Sequence, residues 1–255
     1  NKRGLIFGIA NNHSIAWGIA KQLAENGAEI AIGYQNEILL KRVKPLSQEI
    51  GSKILIECDF NKDNSINNAV EIIKREWGKI DFIVHAVAFA DKTELNGRYV
   101  DTSKDNFLNC LDISCYSLTT LARAFEPIMN HGGSVLTLTF YGSNKVIPNY
   151  NLMGIAKAAL ETSVKYLSVD LGDKNIRVNA ISAGPMRTIA GAAINNAREV
   201  FKFTEEHSAL KRNAHLDEIG KSALYFISDL SSAVTGEVHY VDCGYNIIGM
   251  PKNNN

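Results

Sequence analysis

Short apolar runs alternate with longer amphipathic patterns along the chain, and this alternation constrains the fold more than any other feature. The apolar runs predict strands at 4–10, 28–35, 53–59, 80–88, 133–140, 176–182 and 236–242. The amphipathic patterns predict helices at 14–27, 37–50, 63–77, 104–129, 150–171 and 216–228, with Pro45 expected to break or kink the second. Strands that are apolar on both faces and separated by helices are typical of a parallel sheet covered on both sides.

The sequence therefore predicts an α/β fold with one Rossmann-like, doubly wound parallel sheet of about seven strands and helices on both faces. No internal repeat or linker divides the chain, so we expect one domain over residues 1–255. In such sheets ligands bind beyond the carboxyl ends of the strands. The chemistry is therefore expected in the residues that follow strands.

Composition and charge disfavour several function classes. The 27 basic and 27 acidic side chains give zero net charge without a basic stripe, which argues against a nucleic-acid partner. No apolar run approaches the roughly 18 residues of a membrane span. The four cysteines and six histidines lack disulfide or metal-ligand spacing, so we expect reduced thiols and no metal. With no signal peptide visible, a cytoplasmic protein is expected.

The turn after the first strand is a candidate phosphate site, although it lacks the G-x-G-x-x-G pattern. A dinucleotide pyrophosphate fits the free N–H groups and the positive end of the following helix. Gly8 would permit the tight turn, Ser14 would offer a hydroxyl and an N–H, and Gly18 would let the helix pack close to the sheet. A capped helix after an ordinary glycine turn explains the stretch equally well.

The ends of the second and third strands bear on which dinucleotide binds. An acid there is typical of NAD sites and an arginine of NADP sites, but this chain has the neutral Gln35. Lys41 and Arg42 lie farther along and are expected in solvent, so NADH is favoured. Asp59 is placed to accept a hydrogen bond from the adenine amino group, although turn residues and helix caps give the same pattern.

Tyr150 and Lys157 form a candidate catalytic pair. Seven helical residues turn through about 700° and rise about 10.5 Å, so both side chains lie on one face, two turns apart. A half-buried tyrosine beside a solvated lysine remains the alternative for the pair alone.

Together these features resemble the short-chain dehydrogenase/reductase superfamily. Within it they resemble the bacterial NADH-dependent enoyl-acyl-carrier-protein reductases of type II fatty acid synthesis. The likeness covers nearly the whole chain. It is carried by SIAWGIA (14–20), GYQN (33–36), CD (58–59), NYNLMGIAKAALE (149–161), RVNAISAGPMRT (177–188) and TGEVHYVDCG (235–244).

The resemblance implies a reaction and the residues that perform it. The reaction is NADH-dependent reduction of the trans-2 double bond of enoyl thioesters on acyl carrier protein, with hydride going to the β-carbon, as the last step of each elongation cycle. Tyr150 would hydrogen-bond the thioester carbonyl and stabilise the enolate, and Lys157 would bond the nicotinamide ribose. The implied substrate contacts also include Ala90 and Phe140. The implied cofactor contacts are Gly8, Ser14, Ile15, Gln35, Asp59, Phe60, Val87, Lys157, Met186, Arg187, Thr188, Ile189 and Ala190. The acyl carrier protein would be the partner, and the family forms homotetramers.

The Tyr–Lys spacing distinguishes this chain from carbonyl reductases of the superfamily. Those use Y-x-x-x-K with a serine thirteen residues before the tyrosine; here the two positions hold Met153 and Phe140. An enoyl reductase stabilises charge on a more distant oxygen, which a displaced tyrosine suits. The family commonly has tyrosine at Phe140 and glycine at Ala88.

A carbonyl reductase of the superfamily and a non-catalytic NAD-binding regulator remain the alternatives. NADH oxidation with a crotonyl thioester, compared with an acetoacetyl thioester, separates all three. The small residues at about 189–203 also predict a mobile flap over the substrate.

Gln35 leads to a testable cofactor preference. Since the neutral amide gives a ribose phosphate no cation, kcat/KM should be clearly higher with NADH than with NADPH. Steady-state assays with each cofactor check this. Equal values, or a preference for NADPH, would mean that Lys41 or Arg42 reaches the phosphate.

Overall fold

The strands pair in parallel because each is followed by chain that returns to the same end of the sheet. The computed structural model describes residues 1–62, 64–188, 191 and 197–250. Within them seven strands form one sheet in the order β3-β2-β1-β4-β5-β6-β7, with every neighbouring pair parallel. They span Arg3–Phe7 (β1), Glu29–Tyr34 (β2), Ile54–Glu57 (β3), Ile80–His85 (β4), Met129–Thr139 (β5), Arg177–Ala183 (β6) and Val238–Val241 (β7).

The helices lie between the strands along the chain, as the alternation predicts. They span Ile15–Glu25 (α1), Glu37–Glu49 (α2), Ser65–Trp77 (α3), Lys92–Leu95 (α4), Lys104–Leu111 (α5), Ser117–Phe125 (α6), Asn151–Asp170 (α7), Ala197–His207 (α8) and Leu216–Ile227 (α9). Among the described residues, no helix has both the length and the hydropathy needed to cross a membrane.

Two buried layers cover the sheet, one on each face. Alternate residues of a strand point to opposite faces, so Leu5 packs with the layer under α3, α6 and α7, and Ile6 with the layer under α1 and α9. The α/β fold with helices on both faces, expected from the sequence, is confirmed.

Strand order reverses between β1 and β4, which are neighbours in the sheet. The loops after these two strands therefore diverge and leave a crevice at their carboxyl ends, where doubly wound sheets bind ligands. Several predicted strands ran past their true ends into this region. Apolar character continues there because loop residues such as Ile9 are themselves buried.

Other predicted elements differ from the structure. The predicted helix 104–129 divides into α5, a π-helical turn at Asp112–Tyr116 and α6, and Met129 already belongs to β5. The helix α2 runs without interruption through Pro45, so the predicted break is absent. Proline has no N–H to donate to residue 41, but the helix continues on both sides of it.

His85 is a fully buried histidine in the central strand β4. Its Nδ1 lies 2.9 Å from Thr137 Oγ1 and its Nε2 lies 2.8 Å from Ser117 Oγ. Ser117 Oγ also donates to the Ile113 carbonyl oxygen, and Thr137 Oγ1 donates to the His85 carbonyl oxygen. Burial, with a smaller effect from the Lys157 charge, lowers the pKa of His85 to about 3.

Acid should therefore destabilise the fold partly through His85. The unfolded chain takes up this proton as pH falls below the ordinary value of 6.5, whereas the folded chain resists until about 3. Stability should drop by up to about 1.4 kcal/mol per pH unit over this window. His85→Gln should flatten that slope in urea titrations between pH 7 and pH 4. Replacing the exposed His131 with Gln is the matched control, and equal slopes in all three proteins would contradict this assignment.

Candidate active site

The turn after β1 is built around a glycine that no other residue can replace. Gly8 has φ +101°, and a Cβ there would lie 2.0 Å from the Ala86 carbonyl oxygen in the loop after β4. The two loops thus meet with no room for a side chain. Glycine at this position therefore lets the turn after β1 pack directly against the loop after β4.

Ser14 closes this turn rather than capping its helix. Its Oγ accepts hydrogen bonds from the N–H groups of Ala10 and Asn11, at 3.0 and 3.1 Å. It makes no side-chain bond to the first turn of α1, so the simple capped-helix alternative is not supported. The first amides of α1, beginning at the half-buried Ile15, are left to face an anion.

Gly18 has a different role from the one predicted. A Cβ there would lie 2.7 Å from the Leu216 carbonyl oxygen, and one at Gly220 would lie 2.6 Å from the Gly18 carbonyl oxygen. The close approach is therefore between α1 and α9, not between α1 and the sheet. Helix-to-helix crossings are set by tertiary packing, which local sequence does not reveal.

The predicted adenosine-side residues come together at the ends of β2 and β3. Gln35 Nε2 donates to Asp59 Oδ1 at 3.3 Å, and that oxygen also accepts from the Asn61 N–H. The ring of Phe60 lies edge-on to Phe7 at 5.3 Å between centroids. Lys41 and Arg42 are exposed, as expected.

The loop after β4 lies beside this turn. Val87 is half-buried against the sheet, and the next residue, Ala88, is exposed.

Lys157 is buried, so the solvated-lysine alternative is wrong. Its side chain in α7 is nearly closed off from solvent, and Nζ donates to the Leu138 carbonyl oxygen of β5 at 2.8 Å. Desolvation by burial lowers the pKa of Lys157 to about 8, partly opposed by Cys110, Cys115 and Glu161. An ammonium held at a strand's carboxyl end suits a ribose hydroxyl placed beside it.

Tyr150 is also buried, but it lies at the N-cap of α7 rather than within the predicted helix 150–171. The residues on either side, Asn149 and Asn151, have φ of +60° and +34°, a conformation that side chains rarely adopt. Asn151 Nδ2 is bound by the carbonyl oxygens of Leu95 and Gly97. Tertiary contacts thus hold the backbone on both sides of Tyr150 in this rarely adopted conformation.

The ring of Tyr150 packs against the turn that follows β5. Phe140 meets it edge-on, with 5.0 Å between centroids, and a Cβ on Gly142 would lie 2.4 Å from the tyrosine ring. Burial, with smaller effects from Cys110 and Glu161, raises the pKa of Tyr150 far above its ordinary value. The phenol therefore stays neutral and able to donate a hydrogen bond.

The predicted substrate contacts lie in one apolar cluster. Ala90, Phe140 and Tyr150 pack together with the buried Cys110 and Met153. Sequence reasoning missed Cys110, Gly142 and Glu161 as neighbours of the tyrosine. Helical spacing from Lys157 would have found Glu161, while nothing in the local sequence marks the other two.

The segment after β6 is partly described. Met186 packs beside the α1 side of the sheet, and the Arg187 guanidinium carbon lies 4.6 Å from the centre of the Phe201 ring. Thr188 Oγ1 accepts from the N–H of Gly191. Ile189 and Ala190 lie outside the described residues, as does much of the predicted flap at 189–203; its last residues begin α8.

A dinucleotide-binding fold with a buried Tyr–Lys pair at the strand ends defines an oxidoreductase of the short-chain dehydrogenase/reductase class. A family model described as enoyl-(acyl carrier protein) reductase matches residues 8–246. The chain belongs to this family.

Known relatives agree with the family model. The chain is 57% identical over 249 residues to the NADH enoyl-acyl-carrier-protein reductase 1 of Rhizobium meliloti, covering 98% of this chain and 92% of that protein. It is 57% identical over 251 residues to the NADH enoyl-acyl-carrier-protein reductase FabI of Rickettsia typhi, covering 98% and 96%. The reductase of Anaplasma phagocytophilum, crystallised in complex with NAD, superposes with a TM-score of 0.96 at 52% identity, over 99% and 96% of the chains.

The lowered pKa of Lys157 predicts how NADH affinity varies with pH. The ammonium favours the bound cofactor and loses its proton as pH rises through about 8, so affinity should fall above that pH. Lys157→Met should bind NADH more weakly, with an affinity that does not change over the same range. Fluorescence titrations from pH 6.5 to 9.5 measure both. A pH-independent wild-type affinity would contradict the assignment.

Proposed function

We propose that Tyr150 stabilises the enolate, and that Lys157 holds the nicotinamide ribose, in the reduction of enoyl thioesters on acyl carrier protein. The chain is an NADH-dependent enoyl-acyl-carrier-protein reductase, as its family and its relatives at 57% identity support. The observation that carries the assignment of roles is the burial of both side chains at the carboxyl end of β5.

The residues of the crevice fit NADH. Gly8 lets the phosphate turn pack against the loop after β4, Ser14 shapes the turn, and Gln35 with Asp59 would form a polar edge for the adenosine. Lys157 offers one N–H to the Leu138 carbonyl, which leaves others of its three for the ribose. Met186, Arg187, Thr188, Ile189 and Ala190 would complete the site near the nicotinamide. When bound, NADH supplies the hydride.

Tyr150 acts on the thioester oxygen, where negative charge develops. Its raised pKa keeps the phenol protonated, so its hydroxyl donates a hydrogen bond that strengthens as the enolate forms. Phe140 contributes only a ring edge and has no hydroxyl, so Tyr150 is the phenol we assign to this task. Phe140 and Ala90 would exclude water from the thioester oxygen and so strengthen its hydrogen bond with the Tyr150 hydroxyl.

The two alternatives are disfavoured. A carbonyl reductase of the superfamily needs a tyrosine four residues before the lysine, and that position holds Met153, packed in the apolar cluster. A non-catalytic regulator has no need of a buried lysine and a strained tyrosine corner, both of which cost stability.

Other parts of the assignment are also proposals. We infer that the acyl carrier protein delivers the substrate, that the protein is a homotetramer in the cytoplasm, and that residues 189–203 form a flap of a single domain. The likeness of the chain to its family supports each of them. Hydrogen exchange with and without cofactor and ligand tests the flap.

Tyr150→Phe should lower kcat far more than it weakens NADH binding. Losing one donor to a developing oxyanion costs roughly 3–4 kcal/mol, about 10²–10³-fold in kcat. Crotonyl-thioester turnover and NADH titration measure the two effects. Tyr166→Phe is the matched control, because Tyr166 lies exposed on the same helix, and it should behave as wild type. Full activity in Tyr150→Phe would exclude this mechanism.

A further inference from the structure

Glu161 forms a polar centre beside the candidate catalytic pair. It lies on α7 four residues after Lys157 and therefore on the same face of the helix. Its Oε1 accepts hydrogen bonds from Thr139 Oγ1 at 2.7 Å and from Ser143 Oγ at 2.5 Å. Its Oε2 accepts from Asn144 Nδ2 at 3.3 Å. Three neutral donors thus surround the carboxylate.

Two of these donors lie at the ends of one turn. Thr139 is the last residue of β5, and Ser143 ends the short 3₁₀ helix Tyr141–Ser143 that follows it. A single carboxylate oxygen therefore joins both ends of the five-residue segment 139–143, which we name the clasped turn. Hydrogen bonds to a charged acceptor are about twice as strong as neutral ones, so the turn is fixed firmly to α7.

The clasped turn is also the surface against which Tyr150 packs. It carries Phe140, whose ring meets the tyrosine edge-on, and Gly142, whose Cα lies so near the tyrosine that no side chain fits. Gly154 of α7 makes a second close contact, because a Cβ there would lie 2.7 Å from the Gly142 carbonyl oxygen. A small shift of the turn would move the tyrosine ring.

A second connection leads from the clasped turn to β7. Asn144 Nδ2, which donates to Glu161, also lies 3.1 Å from the Tyr240 hydroxyl oxygen at the end of that strand. Tyr141 packs edge-on against Tyr240, with 6.4 Å between ring centroids. The turn is thus held on both sides, with Glu161 as the charged group at its centre.

We propose that Glu161 is a positioning residue for Tyr150, acting through the clasped turn to hold the phenol at the substrate oxygen. The inference rests on the role proposed for Tyr150 and adds a residue to that site. Glu161 contacts the turn rather than the reacting atoms. Its effect is on the geometry of the tyrosine hydroxyl, to which oxyanion stabilisation is sensitive.

The test is a double-mutant cycle with two independent variants that weaken the hydrogen bonds between Glu161 and the clasped turn. Glu161→Gln removes the charge, and Ser143→Ala removes one bond while the carboxylate stays. At pH 6.5, well below the pKa of Lys157 at about 8, each should lower kcat for a crotonyl thioester by about tenfold, the loss expected for one charged hydrogen bond, with the NADH Kd changed less than about twofold. In the Tyr150→Phe background neither should lower kcat by more than about twofold, because the hydroxyl they position is gone.

Asp170→Asn is the matched control, since Asp170 lies exposed on the same helix outside this network, and it should leave kcat unchanged in both backgrounds. A purely structural role would give additive losses of kcat in the cycle, and additive losses would overturn the inference. A kcat close to wild type in both Glu161→Gln and Ser143→Ala would also overturn it. If Glu161→Gln fails to fold, Ser143→Ala decides the outcome. Full activity of the Tyr150→Phe single variant would reject both the proposed role of Tyr150 and this inference. If Tyr150→Phe is impaired but the losses from Glu161→Gln and Ser143→Ala are additive with it, only this inference is rejected.

Discussion

The contact between the turn after β1 and the loop after β4 is the constraint on which the rest of the site depends. Strand order reverses between these two neighbours, so their loops part and open a crevice. At its base Gly8 lies against the Ala86 carbonyl with no space for a Cβ. This close approach lets the amides of α1 face the crevice while the sheet below remains fully packed.

The burial of Lys157 and Tyr150 sets the chemistry. An ammonium in an apolar layer is costly, and its lowered pKa records that cost. The Leu138 carbonyl offsets part of it and fixes the direction of the side chain. For Tyr150 the same burial acts in the opposite sense, since it raises the pKa and preserves the neutral donor. The same buried environment thus lowers the pKa of the lysine in α7 and keeps the phenol at the N-cap of that helix neutral.

The Tyr150 corner depends on contacts that are far apart in sequence. Asn151 is tied to the chain after α4, the ring rests on the turn after β5, and Glu161 joins that turn to α7. Backbone strain at Asn149 and Asn151 persists because these contacts together outweigh it. The apolar cluster around Ala90 then closes the site from the β4 side.

The sequence alone determined the sheet, its parallel pairing and the helices on both faces, and it predicted that Tyr150, Lys157, Gly8 and Gln35 belong to one site. Apolar periodicity and motif spacing are local properties, so they can be read along the chain. Only the tertiary structure showed that Gly18 allows α1 and α9 to pack closely and that Tyr150 lies at the N-cap of α7. It also showed the π-helical turn between α5 and α6 and the hydrogen bonds of Glu161 with Thr139 and Ser143. Each of these depends on how separate elements pack, because close packing and hydrogen-bond partners are set by atoms distant in sequence.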